Sequence, residues 1–335
     1  MPAMKTNLDL ICDTDRFPYA DDPSAESQLW RQGLYTLLWQ DEAGQYSIGH
    51  VPDRVVEELH KVPLNVRGEM VVNEQVKTIM LFHEQSTEEG RSQVVASVGN
   101  YWRERGTFKL LKGWRNELWP VYDRQGELLF SMERAAMGLL GTMRYGVHMV
   151  AYIEDQAAPY GIKVWVPKRA ADKSTFPGML DNTVAGGLMT GEDPFECIIR
   201  EADEEASLPD PVVRSNAICT GTVTYIYVTE AKHVGEDGFI YPECQWVYDL
   251  KLPVDIIPHP KDGEVEEFML CDVGEVKRDL SLGKFKPNCA LVMIDFFIRH
   301  GILTKENEPD LAAIQRRMHR EIPFPGPHQI DRQGS

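Results

Sequence analysis

Residues 181–208 read DNTVAGGLMTGEDPFECIIREADEEASL. Asp193 is a good N-cap, Pro194 follows at the first helical position, and Glu196 stands three residues after the cap. That capping-box pattern predicts a helix beginning at Pro194. Phe195, Ile198, Ile199, Ala202 and Ala206 then recur at helical spacing, which makes one apolar face that packs on a sheet. Glu201, Glu204 and Glu205 sit at i, i+3 and i+4, so three carboxylates gather beside that stripe. Exposed like charges at this spacing repel by a few tenths of a kcal/mol per pair, about, and Arg200 is in reach of Glu196 or Glu204 to relieve part of it. A cluster of hard oxygen ligands suits Mg²⁺, which favours carboxylates, waters and substrate phosphates. For an isolated E-x-x-E-E segment a solvated acidic face would be explanation enough. Here Gly186, Gly187 and Gly191 lead into the helix, with Glu192 just before the cap. Such a loop allows close backbone approach, and beside a metal helix it can cradle a diphosphate.

Outward from this stretch the pattern is strands, helix, strands, helix. Residues 147–153 and 162–166 are apolar, β-rich runs joined by a turn-rich loop at 154–161, and 182–189 reads as a third short strand. Further strands are expected at 218–228, 245–252 and 267–271, then a helix at 288–300 that Gly301 stops. This order predicts a mixed sheet between helices. Residues 308–322 read as one more helix with Pro309 in its first turn, and 323–335, with three prolines, read as a loose tail. Residues 1–140 hold five of the seven tryptophans and mix a helical patch at 27–38 with strand-like pieces at 78–82 and 127–130. The expected division is a smaller α+β N-terminal domain at 1–140, an α/β domain at 141–303, and a C-terminal helix with its tail at 304–335.

The net charge is −17, which disfavours wrapping a nucleic-acid backbone. The six cysteines contain no C-x-x-C pair and the nine histidines form no H-x-H or H-E-x-x-H cluster. Reduced thiols and no zinc site are therefore expected. The N-terminus lacks a basic start followed by an apolar run, and no stretch approaches the roughly 18 apolar residues of a membrane helix. The composition predicts a soluble, cytoplasmic protein with a small-molecule partner.

The central stretch resembles the Nudix box, G-x5-E-x7-R-E-U-x-E-E-x-G-U, where U is a bulky apolar residue. Gly186, Glu192, Arg200, Glu201, Glu204, Glu205 and Leu208 match in register; Ala202 is smaller than usual, and Ser207 replaces the final glycine. A left-handed serine there costs about 1 kcal/mol, a burden on the helix end and not on the metal ligands. DNTVAGG, VWVPKRA, READEEASLP and EVEEFML resemble a narrower Nudix group with an extra N-terminal domain, related to the Nudix half of fungal thiamine pyrophosphokinase fusions. GWRNELWPVY (residues 113–122) and ERAAMGLLGTMRYGVHMVAY (133–152) are similar to that domain and its junction.

The resemblance implies a Nudix α/β/α sandwich and Mg²⁺-dependent cleavage of a diphosphate, with Mn²⁺ able to substitute. It points to thiamine diphosphate, in particular its oxidised, damaged forms, as substrate. Glu201, Glu204 and Glu205 would hold the metal and carry catalysis. Glu267, directly before Phe268 at a strand start, is the expected fourth ligand, with Glu264 and Glu266 as runners-up. Arg200 and Glu192 are expected to be structural. Gly186 and Gly187, with Lys168, Arg169 and Trp114, are the candidate substrate contacts; Trp119 and Tyr122 are further stacking candidates. Core packing is the plainer role for the aromatics, and ordinary surface charge for the two cations. His148, in an apolar strand, reads as a core histidine. Nucleoside-diphosphate-X or oxidised-nucleotide hydrolysis remains open, as does an isomerase or binding-only Nudix fold, although the absent histidine cluster and the intact box acids disfavour the latter two.

Overall fold

The computed structural model describes residues 4–230 and 236–330. Its N-terminal part contains helices α1 (Asn7–Thr14) and α2 (Ala25–Gln32), strands β1 (Leu34–Asp41) and β2 (Gly44–Pro52), helices α3 (Asp53–Lys61) and α4 (Leu64–Arg67), strands β3 (Met70–Asn73) and β4 (Thr78–Leu81), helix α5 (Glu88–Arg105), the hairpin β5 (Leu118–Tyr122) and β6 (Leu128–Glu133), and α6 (Met137–Leu140). The second part contains β7 (Arg144–Glu154), β8 (Ile162–Arg169), β9 (Val184–Gly187), α7 (Pro194–Ala206), α8 (Asp210–Asn216), β10 (Ala217–Val228), β11 (Ile240–Lys251), β12 (Val265–Asp272), α9 (Val273–Ser281), α10 (Pro287–Arg299), α11 (Leu311–Met318) and α12 (Pro327–Ile330).

The large sheet runs β10-β11-β7-β8-β12, with β9 paired to β7. β11 and β7 are parallel and the other pairs antiparallel, so the sheet is mixed as expected. One edge of β7 serves two partners in turn: residues 146–149 pair with β9 and residues 152–154 with β8. Thr183 stitches the fork. Its hydroxyl accepts from the Ala151 N–H at 2.8 Å and donates to the Trp165 carbonyl at 2.7 Å. Helices cover both faces because β7 alternates. Val147, Met149 and Ala151 face α7, where Cys197, Ile198 and Ala202 are fully buried. Val150 faces the other way, into a core with α9, α10 and α11. Each buried Ile or Val is worth roughly 1.5–3 kcal/mol, which makes these two layers the main stabilisation of the α/β/α sandwich.

The N-terminal sheet has the order β2-β1-β4-β3. The helix expected over 27–38 ends at Gln32, and its second half is the central strand β1. A strand flanked on both sides reads as a near-continuous apolar run (LYTLLW), which periodicity alone does not separate from a buried helix.

The parts also interlock more than a cut at residue 140 implies. α1 packs its Leu10 and Ile11 into the core around α9 to α11, while Phe239 and Tyr241 of the second part join the N-terminal core. Nor is the chain loose after residue 322. Phe324 is fully buried, stacked edge-on against His50, and Gln329 donates to the carbonyls of Ile322 and Phe324. The remainder of the expected tail, 331–335, lies outside the described residues.

Candidate active site

The box helix forms as its sequence requires. The Asp193 side chain accepts from the N–H groups of Phe195 and Glu196. The reciprocal half of the expected capping box is absent, because Glu196 turns outward to Arg214 at 2.6 Å. Ser207 ends the helix at φ +53°, the left-handed conformation anticipated for the position where the box has glycine.

Arg200 is the organiser of the acids. Its guanidinium donates to Glu192 at 2.8 Å and Glu204 at 2.8 Å, and lies 3.0 Å from Glu201. Glu192 also accepts from the Met189 N–H, tying the glycine loop to the helix. Glu201 is mostly buried; burial pushes its carboxyl up to about 7, against the pull of Arg200, with Glu204 and Glu192 adding to the rise. Glu205 accepts from the Ala185 N–H at 3.1 Å, and is raised well above the usual carboxylate range by loss of solvent and by the charges of Glu201, Asp181 and Glu264. Glu204 is half-exposed.

Among the described residues no three His, Cys, Asp or Glu side chains are already gathered as a metal cage. The donor set still fits Mg²⁺. That ion commonly takes one or two carboxylates and completes its shell with waters and substrate phosphates. Two carboxyls whose mutual charge and burial disfavour ionisation are relieved by a divalent cation.

The other sequence candidates separate clearly. Glu267 is exposed on β12 opposite Lys168. Glu264 instead lies where its charge bears on Glu205, with Lys173 as its ion-pair partner. Lys168 is paired with Glu266 at 2.9 Å. Arg169 is nearly buried and occupied by Asp181 at 2.7 Å and by the carbonyls of Thr175 and Phe176. Both cations thus have structural partners. Trp114 lies against Gly99 and under Arg103, and its indole N–H donates to Asn116 at 3.0 Å. It is a packing residue. His148 is buried, bonded to Asn182 at 2.8 Å, and burial holds it down at about 4.

Gly186 and Gly187 do occupy a decisive place. A side chain on Gly186 would collide with Glu201, and one on Gly187 with Trp119. β9 is therefore a bare ridge with the box acids on one side and the N-terminal domain on the other. Along this ridge opens a cavity of about 680 Å³, walled by Trp119 and the glycines and by side chains of β7, β10 and β11. Among the described residues six cations line it, Lys109, Lys112, Arg115, Arg134, Arg144 and Lys286, against a single acid, Glu243. In a chain of net charge −17 this lining is locally inverted in sign.

Sequence reasoning missed these cations because Lys109, Lys112 and Arg115 share a spacing of three in one short segment but carry no motif, and Arg134, Arg144 and Lys286 come from separate segments. Glu243 and Gln245 did carry a signal: two polar residues in β11, a strand flanked on both sides.

A NUDIX domain model matches residues 144–289, and a domain of unknown function, DUF4743, matches residues 43–144. An uncharacterized protein of Saccharomyces cerevisiae is 37% identical over 300 residues, covering 88% of this chain and 86% of the yeast protein. The chain carries a Nudix hydrolase domain. Nudix hydrolase 20, chloroplastic, of Arabidopsis thaliana is 37% identical over 236 residues, 70% of this chain and 59% of the plant protein. This chain thus spans about three-fifths of that relative's length. A crystal structure of a Deinococcus radiodurans protein aligns over 61% of this chain and 100% of its own, at 18% identity and a TM-score of 0.36. Nudix hydrolases act on phosphoric anhydrides. No helix among the described residues is long and apolar enough to cross a membrane.

Proposed function

We propose that this Nudix hydrolase cleaves the diphosphate of thiamine diphosphate or its oxidised forms, releasing the monophosphate, with Mg²⁺ as cofactor. The observation that carries the reading is the charge pattern of the cavity, with cations along its walls and one carboxylate, Glu243, among them. Glu243 accepts from Tyr225 at 2.6 Å and Gln245 at 3.0 Å, and pairs with Arg144 at 3.2 Å. Such a polar edge between aromatic walls suits a ligand that is anionic at its diphosphate and cationic or amino-substituted at its flat ring.

Glu201, Glu204 and Glu205 would hold the metal, with an acid near the start of β12, Glu264 or Glu267, completing the set; Glu264 adds to the charge felt by Glu205 after Glu201 and Asp181. Bound Mg²⁺ supplies charge neutralisation at the phosphates and a more acidic water. Arg200 and Glu192 orient the acids, and the Gly186–Gly187 ridge lets the phosphates approach the backbone. The same reading makes the partner a small phosphorylated metabolite, not a nucleic acid or a membrane, and places the enzyme in the cytoplasm.

The test is a hydrolysis screen of the full chain across thiamine diphosphates, dinucleotides, nucleotide sugars and oxidised nucleotides, with products identified by mass. Cleavage of the thiamine compounds should require Mg²⁺ or Mn²⁺ and stop with EDTA. Turnover of nucleotides alone would overturn the substrate, and full activity after exhaustive metal removal would overturn the mechanism.

A further inference from the structure

We propose that the N-terminal domain supplies a phosphate-binding subsite of its own, in which Arg115 and Arg134 join Arg144 around Trp119 to grip a phosphoryl group across the β9 ridge from the box acids. The ligand class is a phosphate oxyanion: a terminal phosphate or inorganic pyrophosphate.

Several independent features converge there. The guanidinium groups of Arg134 and Arg144 lie 5.0 and 4.7 Å from the Trp119 ring centre, one from each domain. Their counter-ions do not match their charge. Arg134 pairs with Glu117 at 2.9 Å, Arg115 reaches the same Glu117 at 4.0 Å, and Arg144 pairs with Glu243. Three guanidinium groups thus share two carboxylates, and Lys109 and Lys112 stand on the same cavity wall. Arg134 is held below the usual arginine range by burial and by the charges of Arg144 and Arg115, a repulsion that a bound anion removes.

Two buried donors point the same way. The indole N–H of Trp119, a residue 4% exposed, and the Nε of Arg144 have no hydrogen-bond partner, and both residues line the cavity. Buried donors left unmade are costly; neither atom is open to solvent, so a phosphate would reach them only after the side chains shift. Two further acids stand nearby: Glu264, whose charge interacts with Arg115, and Glu133, whose Oε2 is buried without a partner. Glu133 accepts from the N–H groups of Arg115 and Ala135 and so fixes the turns that carry Arg115 and Arg134. The loop after β9 is clamped to this hairpin by Thr190, whose N–H donates to the Leu118 carbonyl at 2.9 Å and whose hydroxyl meets Ser131 at 3.0 Å. The arginines are therefore held at a fixed distance from the glycine ridge.

The inference rests on the diphosphatase reading only for the identity of the natural ligand, so its test omits both metal and turnover. Binding of inorganic pyrophosphate to the full chain in EDTA is measured by calorimetry. Arg134→Gln should weaken it roughly tenfold or more, since charge-assisted bonds are lost. Arg134→Lys should recover part of the affinity, and Trp119→Phe should lose several-fold. Where Arg134→Gln lowers the melting temperature by stranding Glu117, the double variant Arg134→Gln/Glu117→Gln takes its place. Unchanged pyrophosphate affinity in that variant and in Arg115→Gln would overturn the subsite. Arginine-dependent binding in a chain that hydrolyses no diphosphate would uphold the subsite and remove the catalytic reading instead.

Discussion

Glu196 and Glu205 stand on the same helix in very different surroundings. Glu196 is exposed and paired with Arg214, whereas Glu205 lies among Glu201, Asp181 and Glu264 and holds the backbone of β9. Glu205→Gln or Glu204→Gln should therefore lower kcat by two orders of magnitude or more, about, with the fold intact, because a metal ligand is removed and packing is not. Glu196→Gln should leave kcat within roughly twofold. Steady-state kinetics on the two classes checks this, and equal losses would mean that the helix has no separate metal face. His148 gives a pH prediction. It is 2% exposed, faces Lys286, Asp181 and Glu243, and is held at about 4 against an ordinary 6.5. Between those values the unfolded chain binds more protons than the folded one. Its contribution is therefore complete above pH 6.5 and is lost as pH falls towards 4, by roughly 3 kcal/mol at most. Urea unfolding at pH 7 and pH 4.5 should show a smaller acid loss for His148→Gln than for the parent chain. The box acids were legible at this scale because helical geometry forces i, i+3 and i+4 together. The arginines around Trp119 were not, because only tertiary structure brings them near one another.

The box helix was legible from its ends and its stripe, since Asp193, Pro194 and the apolar period state the same element independently. β1 was not, because Leu38 and Trp39 extend its apolar run beyond the buried Tyr35 and Leu37 and blur the alternation that marks a strand. The helix terminus offers a clean measurement. Ser207 holds φ +53° with no ring or branch to excuse it, and its N–H completes the cap through the carbonyls of Ala202 and Asp203. Ser207→Gly should stabilise the chain by about 1 kcal/mol by removing left-handed strain, less the added freedom of glycine in the unfolded state. A higher denaturant midpoint with unchanged Mg²⁺ dependence is the expected result. A lower midpoint would show that the serine side chain contributes more than its backbone costs.

For the whole molecule, the expected division between residues 140 and 141 raises the question whether the second unit could stand alone from about Met143. The structure argues against that independence. Such a fragment would lose Leu10 and Ile11 from one core and would strip the N-terminal cluster from Phe239 and Tyr241. Trp119 and the hairpin that closes one side of the cavity would go with it. A chain beginning at Met143 should accordingly show low cooperativity in thermal melting and rapid proteolysis, with little cleavage of any diphosphate. A compact, cooperatively melting fragment with normal turnover would make the N-terminal domain dispensable. The sandwich itself was readable from the order of elements. The interlock was not, because it depends on which apolar residues meet across hundreds of positions, and apolar residues carry no address.

Asp15 is wholly buried after α1, where it takes the backbone N–H of Ile226 and the guanidinium groups of Arg317 and Arg320. A buried carboxylate is costly until its partners arrive, and Arg320 follows it by 305 residues. At ribosomal speeds that interval is roughly 15–60 s. Helix α1 thus waits for a segment translated some 300 residues after it. Until then Leu10 and Ile11 lack the helices that cover them, so this protein should lean on holding chaperones during synthesis until the segment carrying Arg320 has emerged.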